Sequence, residues 1–183
     1  CSSDLHAGVC PEEGISAIQI AASAINRMQL LRIDEDTTAN IGTITGGQAT
    51  NIVCPEVIIK AEARSKCNDK LEKQTKHMVA CFEEAATEFG ATAVIQVERA
   101  YDAFSVDEDA SIVQDVTLAM TALGIKAHFT STGGGSDTNN YNKHGIEAVN
   151  LGIGMEKVHT NDERIALINL ERSADMVLML ISE

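Results

Sequence analysis

Between Ile15 and Arg99 the spacing of apolar residues switches from helical to alternating and back, an order that few folds accept. Ile15, Ile18, Ala22, Ile25 and Met28 recur every three or four residues, which predicts an amphipathic helix reaching about Leu31. Pro11-Glu12-Glu13-Gly14 precedes it as a helix entry, with proline and acids in the first turn. Thr38 to Thr45 reads as a strand closed by Gly46-Gly47. Val57, Ile59, Ala61 and Ala63 alternate with Ile58, Lys60, Glu62 and Arg64, giving a second strand with one apolar and one mostly polar face. Asn68 can cap a second helix, striped by Leu71, Met78, Phe82, Ala85 and Phe89 and ended by Gly90. Thr92 to Arg99 alternates again as a strand. One more strand ahead of His6 would complete β-α-β-β-α-β, the split βαβ sandwich.

The remainder has a different style. Tyr101 to Asp109 carries several acids and no period, as a linker or domain crossing does. Ile112, Val116, Met120 and Leu123 predict a helix closed by Gly124. Ile125 to Thr130 reads as a strand, Gly133-Gly134-Gly135-Ser136-Asp137 as a turn into a short helix, and Ala148 to Ile153 as a buried strand. Leu170, Ala174, Val177 and Ile181 stripe a last helix. This alternation implies a partial parallel α/β layer, with two strands, too few for an independent doubly wound domain.

Aromatic residues are 3% of the 183 and tryptophan is absent, so the core must be built from Ile, Val, Leu, Ala and Met. A net charge of −13 repels phosphate backbones and argues against a nucleic-acid partner. No apolar run is long enough to span a bilayer, which argues against a membrane protein. The five cysteines, Cys1, Cys10, Cys54, Cys67 and Cys81, form no C-x-x-C pair. Reduced thiols in the cytoplasm are expected rather than a disulfide framework. Cys1-Ser2-Ser3-Asp4 has neither the basic nor the apolar segment of a secretory leader, and the chain is expected to begin inside a longer protein.

The candidate chemistry is dispersed. His159 follows the expected strand over residues 148–153, at the end of a parallel strand where α/β sheets place ligands. It could be a metal ligand or an acid–base group, but spacing alone reads it as an exposed loop histidine, since no H-x-x-x-H or H-x-D accompanies it. His6, in Asp4-Leu5-His6-Ala7-Gly8, reads alone as a solvated side chain. His77 has no assigned role, His128 lies in a strand, and His144 beside Gly145 suits a helix C-terminus. The glycine-rich turn offers backbone N–H groups to a small anion, or is a plain turn capped by Ser136 or Asp137. Arg64 with Asn51 could clamp a carboxylate, but on its own Arg64 reads as a surface ion pair with Glu62 or a neighbouring strand. Glu83-Glu84 is a solvated helix face.

Several stretches resemble one known family. His6-Ala7-Gly8-Val9-Cys10-Pro11-Glu12-Glu13-Gly14-Ile15-Ser16-Ala17 is similar to the H-A-G-x-x-P-E-x-G-I-x-A signature of peptidase-T-like dinuclear-zinc exopeptidases. Gly46-Gly47 through Thr50-Asn51-Ile52-Val53, then Glu62-Ala63-Arg64-Ser65, resemble that family's G-G-x-x-x-N-I-V and E-A-R-S segments. Gly134-Gly135-Ser136-Asp137 and Val158-His159-Thr160 resemble its late glycine-rich turn and last metal histidine. The likeness runs in order along nearly the whole chain.

The resemblance implies a β-α-β-β-α-β lid that forms homodimers (residues 1–104, first strand missing) and the C-terminal part of a catalytic α/β domain (residues 105–183). It implies zinc-dependent hydrolysis of short peptides by metal-activated water, with two zinc ions in the intact enzyme. His159 would be a zinc ligand, His6 would reach the partner subunit's site and polarise the scissile carbonyl, Asn51 and Arg64 would hold the substrate, and Gly134 and Gly135 would line the pocket. The family's H-x-D, bridging aspartate, Glu-Glu pair and further metal carboxylate are absent from this sequence, so the chain by itself is expected to be inactive. The other reading is a non-catalytic dimerisation or small-molecule-binding module, because this sandwich also serves those ends.

Overall fold

The structure is a computed structural model and describes residues 5–182. The described residues divide into two compact units, parted between Ala100 and Tyr101. A strand ahead of His6 would fall at or before residues 1–4, outside the described residues.

The first unit holds helix α1 (Ala17–Arg27), strands β1 (Leu31–Arg32), β2 (Thr37–Gly46) and β3 (Val57–Ser65), and helix α2 (Asn68–Glu88). Ser16 caps α1, its hydroxyl accepting from Gln19 N–H at 3.4 Å. The helix stops at Arg27, short of the expected Leu31, because the chain must turn into β1, a two-residue strand with no period to announce it. Cys67, not Asn68, takes the N-cap position of α2, and Gly90 at φ +69° ends it as expected. The sheet is antiparallel in the order β1-β2-β3, with a bulge between Ile41 and Thr43. Gly42 is the extra residue there, and a glycine bends into a bulge at little steric cost.

Both helices pack on one sheet face. Ala24, Met28, Ala39, Met78, Cys81 and Ala85 form the buried core, with Ile20, Ile41 and Phe82 against it. Ala24 and Ala85 are fully buried, and such small side chains let α1 and α2 approach closely. The opposite face carries Asn40, Lys60, Glu62 and Arg64, as the alternation in β3 predicts. Two tethers close the ends. Gln29 donates its N–H to His77 Nε2 at 3.1 Å and accepts at its carbonyl from buried Gln74 Nε2 at 2.9 Å, which pins the α1–β1 turn to α2. Asp34 Oδ1 accepts the N–H groups of Asp36 and Thr37, each at 2.8 Å, and Lys70 reaches Asp36 at 2.5 Å. The Asp36 amide above all holds the Asp34 carboxyl below its ordinary value. Its stabilising contribution is therefore present at neutral pH and lost only as acid takes the pH below the usual carboxylate range.

Residues 92–99 join no ladder among the described residues. Ala91, Ala93 and Ile95 are half-buried while Val94 is 88% exposed, so the alternation of faces is present without a hydrogen-bonding partner. The second unit departs further. It holds α3 (Ser111–Ala122), α4 (Asp137–Lys143), β4 (Met155–Glu156), β5 (Arg164–Ile165) and α5 (Leu167–Ile181). Residues 125–130 and 148–153 form no strand, and Leu151 and Ile153 are exposed rather than buried. In place of two parallel strands, the described residues carry one short antiparallel pair, β4 with β5. Helix α3 packs on α5, and Val113, Ala119 and Met176 are their buried apolar residues, while Leu170, Val177 and Ile181 of the expected stripe are exposed. No described helix is long and apolar enough to cross a membrane.

Candidate functional site

In the first unit, the segment before α1 is laid against the loop that follows β2. Ala7 N–H donates to Asn51 carbonyl at 2.8 Å and Val53 N–H to Leu5 carbonyl at 2.9 Å, making an antiparallel bridge between His6 and Ile52. Gly14 permits this packing, since a Cβ there would sit 3.1 Å from both Leu5 and Val53. His6 and Asn51, far apart in sequence, are therefore brought to one place by backbone pairing. The His6 side chain is exposed, and its Nδ1 accepts Gly8 N–H at 3.0 Å.

Arg64 lies on the open face of β3. Its Nε and Nη2 donate to the two Glu62 carboxylate oxygens, each at 3.0 Å, and both side chains are about half exposed, at 50% and 54%. This is the local ion pair that the i, i+2 spacing allows. An incoming carboxylate would share or displace Glu62 at the same guanidinium fork.

In the second unit, the glycine-rich turn is a packed turn more than an anion cradle. Gly134 N–H donates to Thr132 Oγ1 at 3.2 Å and Ser136 N–H to Asn139 Oδ1 at 3.0 Å, so two of the amides that would face an anion are used internally. Asn150 accepts Thr138 Oγ1 at 2.7 Å and ties residues 148–153 to α4. The segment expected to be a linker is also fastened here. Asp102 carbonyl accepts Asn139 Nδ2 at 2.8 Å and its carboxylate pairs with Lys143 at 2.9 Å. Tyr101 then lies on Gly135, where a Cβ would come 2.7 Å from the ring. The sequence holds no signal for this contact, because neither residue shows a period. Gly135→Ala should cost about 1–3 kcal/mol of stability by overpacking. Gly134→Ala, whose Cβ would meet nothing nearer than 3.6 Å, should cost far less. Equal denaturation midpoints for the two variants would refute the contact.

His159 stands in the loop between β4 and β5, exposed, with φ +65°. Glu163 accepts its N–H at 2.7 Å, and Thr160 Oγ1 donates to Lys157 carbonyl at 2.7 Å. Lys157, at φ +52°, pairs with Asp162 at 2.9 Å, and Arg164 pairs with Glu156 at 2.6 Å across the strands. Left-handed backbone at a histidine is a constraint that residue identity does not announce. His144 is the C-cap of α4, followed by Gly145 at φ +77°, as its sequence position suggests. Among the described residues no three His, Cys, Asp or Glu converge as a metal centre requires, so His159 offers one imidazole without companions.

Residues 3–89 match the peptidase dimerisation domain family of the M20 type. The chain is 47% identical over 178 residues to the uncharacterised protein YqjE of Bacillus subtilis, covering 97% of this chain and 48% of that one. Among solved structures it is similar to a tripeptidase from Staphylococcus aureus, with a TM-score of 0.89 and 45% identity, covering 98% of this chain and 48% of that one. It is likewise similar to aminopeptidase PepT from Bacillus cereus, with a TM-score of 0.84 and 44% identity over the same shares. The chain thus spans about half the length of these relatives.

Proposed function

We propose, from the match of residues 3–89 to the M20 peptidase dimerisation domain family, that the chain is the lid-bearing half of a metal-dependent exopeptidase acting on short peptides. The observation that carries this reading is the likeness, along 98% of the chain, to a tripeptidase and an aminopeptidase structure. Residues 1–104 are the lid, which pairs with a second copy about a two-fold axis. Residues 105–183 close the catalytic domain. The metal is zinc, two ions in the intact, cytoplasmic enzyme, with His159 giving one ligand and the rest coming from the longer protein. When bound, zinc supplies a Lewis acid and a source of nucleophilic water.

The roles proposed for this chain's residues are those the resemblance implies. His6 donates from Nε2 to the scissile carbonyl across the dimer. Asn51, held beside it by the bridge, and Arg64, forked outward from β3, hold the substrate's carboxylate or main chain. Gly134 and Gly135 line the pocket, Gly135 with its own Cα side taken up by the Tyr101 ring. This chain by itself is inactive.

The test is tripeptide hydrolysis by the longer protein, with and without a chelator, and with Arg64→Ala. Losing charge-assisted hydrogen bonds of about 1.5–3 kcal/mol should lower kcat/KM about ten- to hundred-fold. Stability should change little, because the Glu62 pair is half exposed. Absence of chelator-sensitive hydrolysis would leave the non-catalytic dimerisation module as the reading, and unaltered kinetics of the variant would return Arg64 to a surface ion pair.

A further inference from the structure

We infer that Gly8 is a positioning residue: its backbone N–H selects, for the neutral His6 ring, the tautomer protonated at Nε2, so that His6 serves as a hydrogen-bond donor and not as a general base. The inference deepens the proposed function and rests on it for the identity of the acceptor, a peptide carbonyl.

The geometry is local and complete. Gly8 N–H points at His6 Nδ1 over 3.0 Å. A backbone amide nitrogen can only donate, so the nitrogen it meets must present a lone pair. In a neutral imidazole one nitrogen carries the proton and the other the lone pair, and accepting at Nδ1 places the proton on Nε2. The imidazolium would set an N–H against an N–H. The sole lone pair of the ring is thereby engaged, and accepting a substrate proton would break the Gly8 bond. Nε2 has no hydrogen-bond partner among the described residues, and the side chain is exposed, so the donor is available to a ligand. The loop is anchored for this purpose. Val9 N–H donates to His6 carbonyl at 3.1 Å, and Ala7 N–H donates to Asn51 carbonyl. A glycine suits position 8 because a Cβ would sit 3.3 Å from His6 Cε1 and 3.4 Å from Nδ1, contacts that are tight but tolerable.

Nitrogen-15 NMR of this chain, at a pH where His6 is neutral, reads the bond directly. The expected result is a scalar coupling across the hydrogen bond between Gly8 amide nitrogen and His6 Nδ1. Nδ1 should resonate as a bare pyridine-like nitrogen and Nε2 as a protonated one. Gly8→Ala, which keeps the N–H, should retain the coupling, whereas Gly8→Pro, which lacks it, should lose it and let the tautomers mix. Protonation at Nδ1, or no coupling in the unaltered chain, overturns the inference, and neither outcome depends on how Gly8→Pro folds. No peptide enters the measurement, so its failure would leave the peptidase reading standing. Failure of hydrolysis in the longer protein would leave the tautomer assignment untouched.

Discussion

Replacing His6 with alanine in the longer protein is expected to lower kcat about 10²–10³-fold, the loss that follows removal of one donor aimed at a developing oxyanion. Bound metal should be unchanged and KM should move little, because the donor strengthens its bond chiefly as charge builds on the carbonyl oxygen. His6→Asn separates chemistry from architecture. Asparagine can accept Gly8 N–H in an Asx turn and so preserve the loop, but it has no atom where Nε2 was. It should therefore be folded, metal-replete and as slow as the alanine variant. Near-normal turnover in His6→Asn would show that His6 acts only by holding its loop against residues 51–53.

The contrast between legible and illegible features of this chain has a physical basis. The run α1-β2-β3-α2 is legible because each element buries one face, and burial of one face imprints a period on the sequence. Arg64 with Glu62 is legible for the same reason, since residues two apart on a strand share a face. Periodicity encodes faces, however, and not partners. Residues 92–99 keep their alternation yet enter no ladder, and residues 125–130 and 148–153, apolar enough to suggest strands, have none either. Contacts between distant residues leave no such imprint. Nothing around His77 in the sequence points to a role, yet it pins Gln29. The pairing that sets His6 beside Asn51 is made by backbone groups, which every residue shares. The family resemblance singles out both residues, but only the fold explains their proximity.

His159 offers the second large effect, and its backbone makes the test sharper. A histidine at φ +65° occupies a region that costs non-glycine residues about 1–2 kcal/mol. The loop sustains it through the Glu163 carboxylate on its N–H and the bonded Lys157–Thr160 turn. Lys157, two residues earlier, is left-handed too, so the turn itself imposes this backbone and the substitution must test the imidazole separately. His159→Gly removes the imidazole and the strain together, while raising the entropy of the unfolded chain. The two stability effects oppose each other, so the denaturation midpoint should stay level or rise. Metal affinity of the longer protein should fall by more than about 100-fold, since losing even a ligand's hydrogen-bond partner costs 10–100-fold. Hydrolysis should vanish with the metal. A structural histidine predicts the reverse pattern: a lower midpoint with metal and activity retained. Metal content by mass spectrometry beside a denaturation curve decides between them, and intact metal binding in His159→Gly would remove His159 from the ligand set.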